Sequence, residues 1–439
     1  MKENNIPKIR NRLAYCSIIF LIAPYLMEAK MMKLNYKHTL YACFIGYVTQ
    51  AVVSNLPTLL LVIFQNEFNL SLERITLLLT LGFCIQIIVD ALASKFVDVV
   101  GYRISLAIAN ICCIGGLLSI GFLPFYINPF LGLLIGVSLN SIGGGFIEVM
   151  VSPIVEALPC DEKSSAMSIL HSFYCWGYMG VVILSTLFFN IIGESYWTYL
   201  LAIWTIVPLT NLFLFLKVPI KTLVEKSEQL PIKKLLSLKI FWILFVLMIC
   251  AGASEQAISK WSSLFAELGL GVSKTIGDLL GPCAFAFFMG LTRLFYSKKG
   301  HKIDLKKLIF FSGVLCIFSY MLVSLSPIPL ISLFGCALTG LSIGILWPVT
   351  LSLSVKTYPA GGNTMFGLLA LGGDIGCAIG PSTVGFISNA FISYNNLYLQ
   401  KLFTGDNITQ IALKAGLFTA IIFPIIILFN IYLLKKQRC

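Results

Sequence analysis

The sequence predicts an all-α membrane protein with about twelve transmembrane helices in two six-helix bundles. Three observations predict it: the apolar content, the length of the apolar runs, and the placement of the cations. Of 439 residues, 58% are hydrophobic and 11% charged, against roughly 25% charged in a soluble domain. A soluble core cannot hide that much apolar surface, and what it left exposed would aggregate. A bilayer removes the problem, and each crossing takes about 20 apolar residues. The alternating strands of an outer-membrane barrel are absent.

The apolar runs place spans at 38–64, 74–97, 102–123, 128–150, 164–189 and 196–217, then at 238–266, 274–297, 307–325, 328–355, 363–390 and 412–434. Residues 218–237 form a polar cytoplasmic linker carrying Lys221, Glu225, Lys226, Glu228, Lys233 and Lys234. They separate an amino-terminal bundle, 38–217, from a carboxy-terminal one, 238–434, followed by a tail at 435–439. Residues 1–37 are an extension. Within it, Leu13 to Met27 is apolar and follows Lys2, Lys8, Arg10 and Arg12, as in a signal peptide. Met27-Glu28-Ala29-Lys30 is a poor cleavage site and the run is short for a span, so an interfacial segment, or an extension upstream of a start at Met31 or Met32, is expected.

The net charge of +12 raises nucleic acid as a partner, but the basic residues sit in short loops between apolar runs. With the amino terminus in the cytoplasm, only Arg74, Lys274, Lys401 and Lys414 fall outside, and Lys260 within a span. Cytoplasmic loops favour Lys and Arg. The expectation is therefore a multi-pass protein of the cell (plasma) membrane with both termini cytoplasmic. The 13 cysteines are scattered through apolar runs, without a CxxC pair, and read as small buried hydrophobes. With three histidines, no protein-built metal centre is expected. No phosphate-binding GxxxxGK[ST] loop, GxSxG elbow or HExxH occurs, so neither an enzyme nor an ATP-driven pump is expected, and no cofactor. A monomer is expected.

The two halves repeat weakly. GGGFIEVMVSPIVEALP leads into AMSILHSFYCWGYMGVVIL in the first, and GLSIGILWPVTLSLSVKTYP into TMFGLLALGGDIGCAIGPSTVG in the second. Each has small residues, an intramembrane proline, a proline at the inner exit, and a glycine-rich helix. Small residues let helices approach closely, and two similar halves around a midplane site suit alternating access.

The run Ser94-Lys95-Phe96-Val97-Asp98-Val99-Val100-Gly101-Tyr102-Arg103 resembles the loop signature of the major facilitator superfamily, matching it at Asp98, Gly101 and Arg103. Gly145-Phe146-Ile147-Glu148 through Pro153, the LHSFYCWG segment, Gly252-Ala253-Ser254-Glu255 followed by Lys260-Trp261, and Gly290 with Arg293 are similar to its fucose/glucose-type sugar:proton symporter branch. The resemblance covers nearly all of residues 38–434 and implies the major facilitator fold, a monosaccharide cargo and proton coupling. One departure stands out. Close members carry an acidic residue in the first span, where this chain offers Gln50 and Asn55.

Ionisable groups within spans are costly and face a cavity or a partner. Glu148, among Gly143, Gly144 and Gly145, heads the candidates: its carboxyl can exchange a proton when a cavity opens to either side, or bond a hydroxyl. The opposing reading is a protonated structural glutamate. Asp374, between Gly373 and Gly376, is a site residue or a helix-break residue. Glu255 and Lys260 lie about 140° apart round one helix, so each pairs across helices, Glu255 at the cavity or Lys260 snorkelling outward. His171 relays a proton or is satisfied by a neighbouring helix. Trp261 and Trp347 are sugar-stacking candidates against a packing role. Gln50, Asn55 and Gln256 are candidates for bonding cargo hydroxyls. Asp98, Gly101, Arg103 and Arg293, at inner helix ends, are gating candidates; Asp90 has no evident task.

The resulting expectation is a secondary active transporter working by alternating access, taking up a small polar solute such as a monosaccharide with protons. The alternatives are an exporter of drugs or metabolites on the same fold, and a non-transporting membrane sensor or membrane-embedded enzyme.

Overall fold

A computed structural model describes residues 34–158, 163–220, 232–299, 303–358, 362–394, 403 and 405–436. The extension through residue 33, most of the linker and the end of the tail lie outside the described residues. Ile232–Leu236, at the end of the linker, is a short helix. Every regular element among the described residues is helical. Among the described residues, eleven helices are long and apolar enough to cross a bilayer, and one bent pair supplies a twelfth. Span 1 is Tyr36–Leu59 with Leu61–Phe68; spans 2 to 6 are Leu72–Ala93, Tyr102–Phe125, Pro129–Ala157, Ile169–Ile192 and Glu194–Lys217. Spans 7 to 12 are Lys239–Gly269, Lys274–Tyr296, Leu305–Leu325, Pro329–Ser354, Gly367–Ser393 and Ile408–Leu434.

These agree with the expected spans to within a few residues. The differences lie at the ends, where capping side chains rather than hydropathy decide. Asn35 caps span 1 in a reciprocal box with His38, and Ser71, Asn128 and Asn407 accept from the first turns of spans 2, 4 and 12. Each satisfies a backbone N–H that a helix start leaves without a partner.

Large apolar side chains such as Ile88, Leu92, Ile111, Leu184, Phe311 and Phe334 are exposed. On helices of this hydropathy, that surface is the lipid face. Polar residues turn inward and bond locally: the hydroxyls of Thr49, Thr76, Ser319, Thr339 and Thr350 each donate to the carbonyl one helical turn earlier. This is how a hydroxyl is carried inside a span without an unmet donor.

Spans 1 and 5 pack together in the first half as spans 7 and 11 do in the second. Between the halves, span 2 packs on span 11 and span 8 on span 5, the same pair under the repeat. The glycine-rich character of span 11 follows from its contact with span 7. A Cβ at Gly376 would stand 2.0 Å from Ile249 O, and one at Gly380 2.2 Å from Ala253 O, so only glycine allows this approach.

Span 1 bends by 45° between Leu59 and Leu61. Pro57 is the cause, because it removes a ladder N–H and crowds the preceding turn. The bend frees Leu59 O, which accepts from Lys274 Nζ of the other half at 2.7 Å. Lys274 is buried, and also meets Glu267 at 3.0 Å and Asp278 at 3.2 Å; Asp278 accepts from Ser263 at 2.6 Å. Two π-helical turns, Phe265–Gly269 and Leu279–Cys283, flank this cluster. Thr275 to Asn190 at 2.9 Å and Thr80 to Ser382 at 2.6 Å add bonds between the halves near the same face. Cation distribution alone counts Lys274 as an exposed outer flank. It is a buried charge joining the halves instead.

Lys274→Met strands the buried Asp278 carboxylate and the half-buried Glu267, and removing one partner of a buried ion pair costs about 3–5 kcal/mol. Thermal unfolding in micelles is expected to show that loss. Adding Glu267→Gln and Asp278→Asn to the same chain is expected to recover most of it.

Candidate functional site

Four charged residues of the spans, Glu148, Glu255, Lys260 and Arg293, carry the candidate site. Glu148 lies on span 4, half-buried deep in the bundle. Its Oε2 accepts from Gln50 Nε2 of span 1 and from Gln86 Nε2 of span 2, the latter at 2.9 Å. Two amide donors on one oxygen hold a carboxylate in place. Glu255 of span 7 pairs with Arg293 of span 8 at 3.5 Å and accepts from Gln256 Nε2 at 3.3 Å. Arg293 reaches back from the end of span 8 and donates to Gly344 O of span 10 and, across the halves, to His171 O at 3.5 Å. Glu148 with its two amide donors and the Glu255–Arg293 pair thus come from opposite halves and make up the candidate site.

Lys260 does not snorkel outward. It is 4% exposed and donates to Ser54 O at 2.8 Å and Asn55 Oδ1 at 3.0 Å, with the Phe83 ring 5.6 Å from its ammonium. Asn55 is fully engaged: its Nδ2 donates to Ala51 O and to the Tyr174 hydroxyl, at 3.0 and 3.2 Å. Its expected role as a ligand for cargo hydroxyls is corrected: it secures Lys260 against span 1. A cleft between spans 1, 2 and 4 runs past this anchor, with Val53, Pro57, Phe83, Gln86 and Ser141 on its walls and Lys260 at its edge.

Trp261 is corrected too. It is 0% exposed and donates to Pro381 O at 2.9 Å, so its ring packs span 7 on span 11 and offers no face to a sugar. Trp347 is half-buried, its ring lying where a Cβ on Gly373 would be. His171 is exposed, with its ring edge-on to Tyr47 at 5.3 Å; the Tyr47 hydroxyl meets Ser152 of span 4 at 3.1 Å. Asp374 of span 11 is half-buried and within electrostatic reach of Glu148.

Of the gating candidates, Arg103 donates to the carbonyls of Phe215, Leu216 and Val218. It thereby caps the carboxy-terminal end of span 6 within its own half, where a cation suits the helix dipole. Gly101 ends the helix of span 2 at φ of +88°, a backbone conformation that favours glycine. The Asp98 side chain lies outside the described residues. The sequence reading missed Gln86 and Tyr174, whose polar groups look ordinary until spans 2 and 5 bring them to Glu148 and Asn55. Among the described residues no group of three or more His, Cys, Asp or Glu is placed to hold a metal ion.

Residues 43–381 match the Major Facilitator Superfamily. No curated protein matches the chain. A bacterial homologue of the human lysosomal transporter Spinster, inward-facing and occupied, is similar in structure, with a TM-score of 0.67 at 16% identity, covering 92% of this chain and 97% of that one. A D-xylose–proton symporter is similar with a TM-score of 0.66 at 17% identity, covering 88% and 95%. At such identities the likeness is one of fold.

Trp261→Phe keeps the ring and loses the bond to Pro381 O. A loss of about 1 kcal/mol in stability is expected, measured as a lowered unfolding midpoint in micelles. An unchanged midpoint would contradict the buried placement of the indole.

Proposed function

The chain belongs to the Major Facilitator Superfamily, and from that premise we propose that it is a secondary active transporter that moves a small polar solute, a monosaccharide first, by proton-coupled alternating access. The observation that carries the reading is Glu148. It is a carboxyl on a glycine-rich span, held by amides from spans 1 and 2 and in electrostatic contact with Glu255 and Arg293 of the opposite half. A group so placed reports its charge to both halves at once. Taking up or releasing a proton changes the attraction between them, and that is what coupling needs. Cargo hydroxyls have partners in Gln256, the Glu255–Arg293 pair and Asp374, with the half-buried Trp347 as the aromatic candidate.

The chain imports in this reading, with closure at the Lys274 face and the site served from the opposite one. The D-xylose–proton symporter shares the fold, which hosts many cargoes, so the sugar assignment rests on the motif resemblance and not on the fold. Export of an amphipathic solute is the second reading. The apolar share of the cleft walls, Val53, Pro57, Leu61, Leu78, Leu79 and Phe83, favours it.

Uptake by proteoliposomes across a panel of neutral sugars, with and without a pH gradient, separates the two. Accumulation of one sugar only with the gradient is expected. Glu148→Gln is expected to cut that accumulation about tenfold or more per pH unit, while exchange of cargo for cargo continues. Intact accumulation with failed exchange would reverse the assignment of Glu148.

A further inference from the structure

Asp90 has no place in the account above, yet its surroundings are specific. It lies on span 2 one turn beyond Gln86, and neither of its carboxylate oxygens has a hydrogen-bond partner or contact with solvent. Its Oδ1 lies against Gly145 of span 4, where a Cβ would stand 2.7 Å from it. Glycine at 145 is the cradle that admits this carboxyl, three residues before Glu148 on the same helix. The charged or titratable groups facing it are Glu148 from span 4 and Asp374 from span 11; the cation of span 3, Arg103, is turned to span 6.

A second observation comes from Gln50. It is 5% exposed, its Nε2 donates to Glu148, and its Oε1 has no donor. Beside the two amide donors on Glu148 there are thus three buried acceptor atoms without donors, Gln50 Oε1 and both Asp90 oxygens. Buried carboxylate oxygens without donors or a counter-ion are costly. In this conformation the cradle is closed to water and to any ligand with heavy atoms, so a proton is exchanged only when the site opens to solvent.

We propose that Asp90 is a second proton-binding carboxyl beside Glu148, so that each transport cycle carries two protons. This rests on the proton-coupled reading above. Both protons enter from solvent when the site opens to one face and leave to solvent when it opens to the other, so no further reactant is needed. Asp374 completes the electrostatic surroundings of the pair from the other half, which ties the proton load to the approach of span 11 on span 2.

The test is thermodynamic and does not depend on rate. Proteoliposomes are loaded with a tenfold gradient of the sugar that the panel selects, the membrane potential is clamped at zero, and the opposing pH gradient that stops net flux is found. Two protons per cargo balance a tenfold gradient at about 0.5 pH unit, and one at about 1 unit. The intact chain is expected near the first value and Asp90→Asn near the second, a twofold shift. Asp90→Glu, which keeps a carboxyl, is expected to hold the first value. If Asp90→Asn does not move flux at all, an active Asp90→Glu with the intact ratio upholds the proposal, and inactivity of both makes Asp90 a packing residue and overturns it. A ratio of one in the intact chain, or the same ratio in Asp90→Asn, also overturns it. Uptake by the intact chain that ignores the pH gradient instead sinks the coupling reading itself.

Discussion

Hydrocarbon offers no hydrogen bonds, and the architecture of this chain depends on that constraint. Each backbone amide in a span must be met by the helix itself, which leaves helices as the only regular element among the described residues. Each polar side chain must bond its own helix, as the threonines and serines do, or find a partner on another span. Several charged ones find partners on other spans instead: Glu148 with Gln50 and Gln86, Glu255 with Arg293, Lys260 with Asn55. The exclusion of polar groups from lipid thus assembles the site.

The same constraint joins the halves. Pro57 breaks span 1, the break frees Leu59 O, and Lys274 of the other half takes it together with two acidic residues. Under the proposed alternating access, this contact holds the closed state of its face, and exchange of the cation for water releases it. On the opposite side, Arg293 meets His171 O across the halves at 3.5 Å.

Much of this was legible in the sequence. Charged residues in apolar runs stand out, which is why Glu148, Glu255 and Asp374 are candidates from the sequence, and span centres follow from hydropathy. What was not legible depends on rotation about a helix axis and on partners distant in sequence. Trp261 and Trp347 look alike as residues in spans, yet one is sealed against Pro381 O and the other is half-buried. Asn55 reads as a free amide until Lys260, on a span of the other half, occupies it. Lys274 reads as a flank because Glu267 meets it only once spans 7 and 8 fold back on each other, while Asp278, four residues on along the same helix, is the one partner the sequence spacing offers. Asp90 gains meaning only from the missing Cβ of Gly145. The fucose/glucose-type likeness was legible as motifs, but motifs in this superfamily specify the scaffold more firmly than the cargo.

The central claim is that the ionisable groups of the spans face water between the halves and not lipid. A cysteine placed at position 148 in a chain cleared of its native cysteines tests this directly. A charged, membrane-impermeant thiol reagent applied to each face in turn is predicted to label it from the face opposite Lys274, with cargo slowing the reaction. Labelling by a lipid-soluble reagent alone, with none from either aqueous side, would contradict the account.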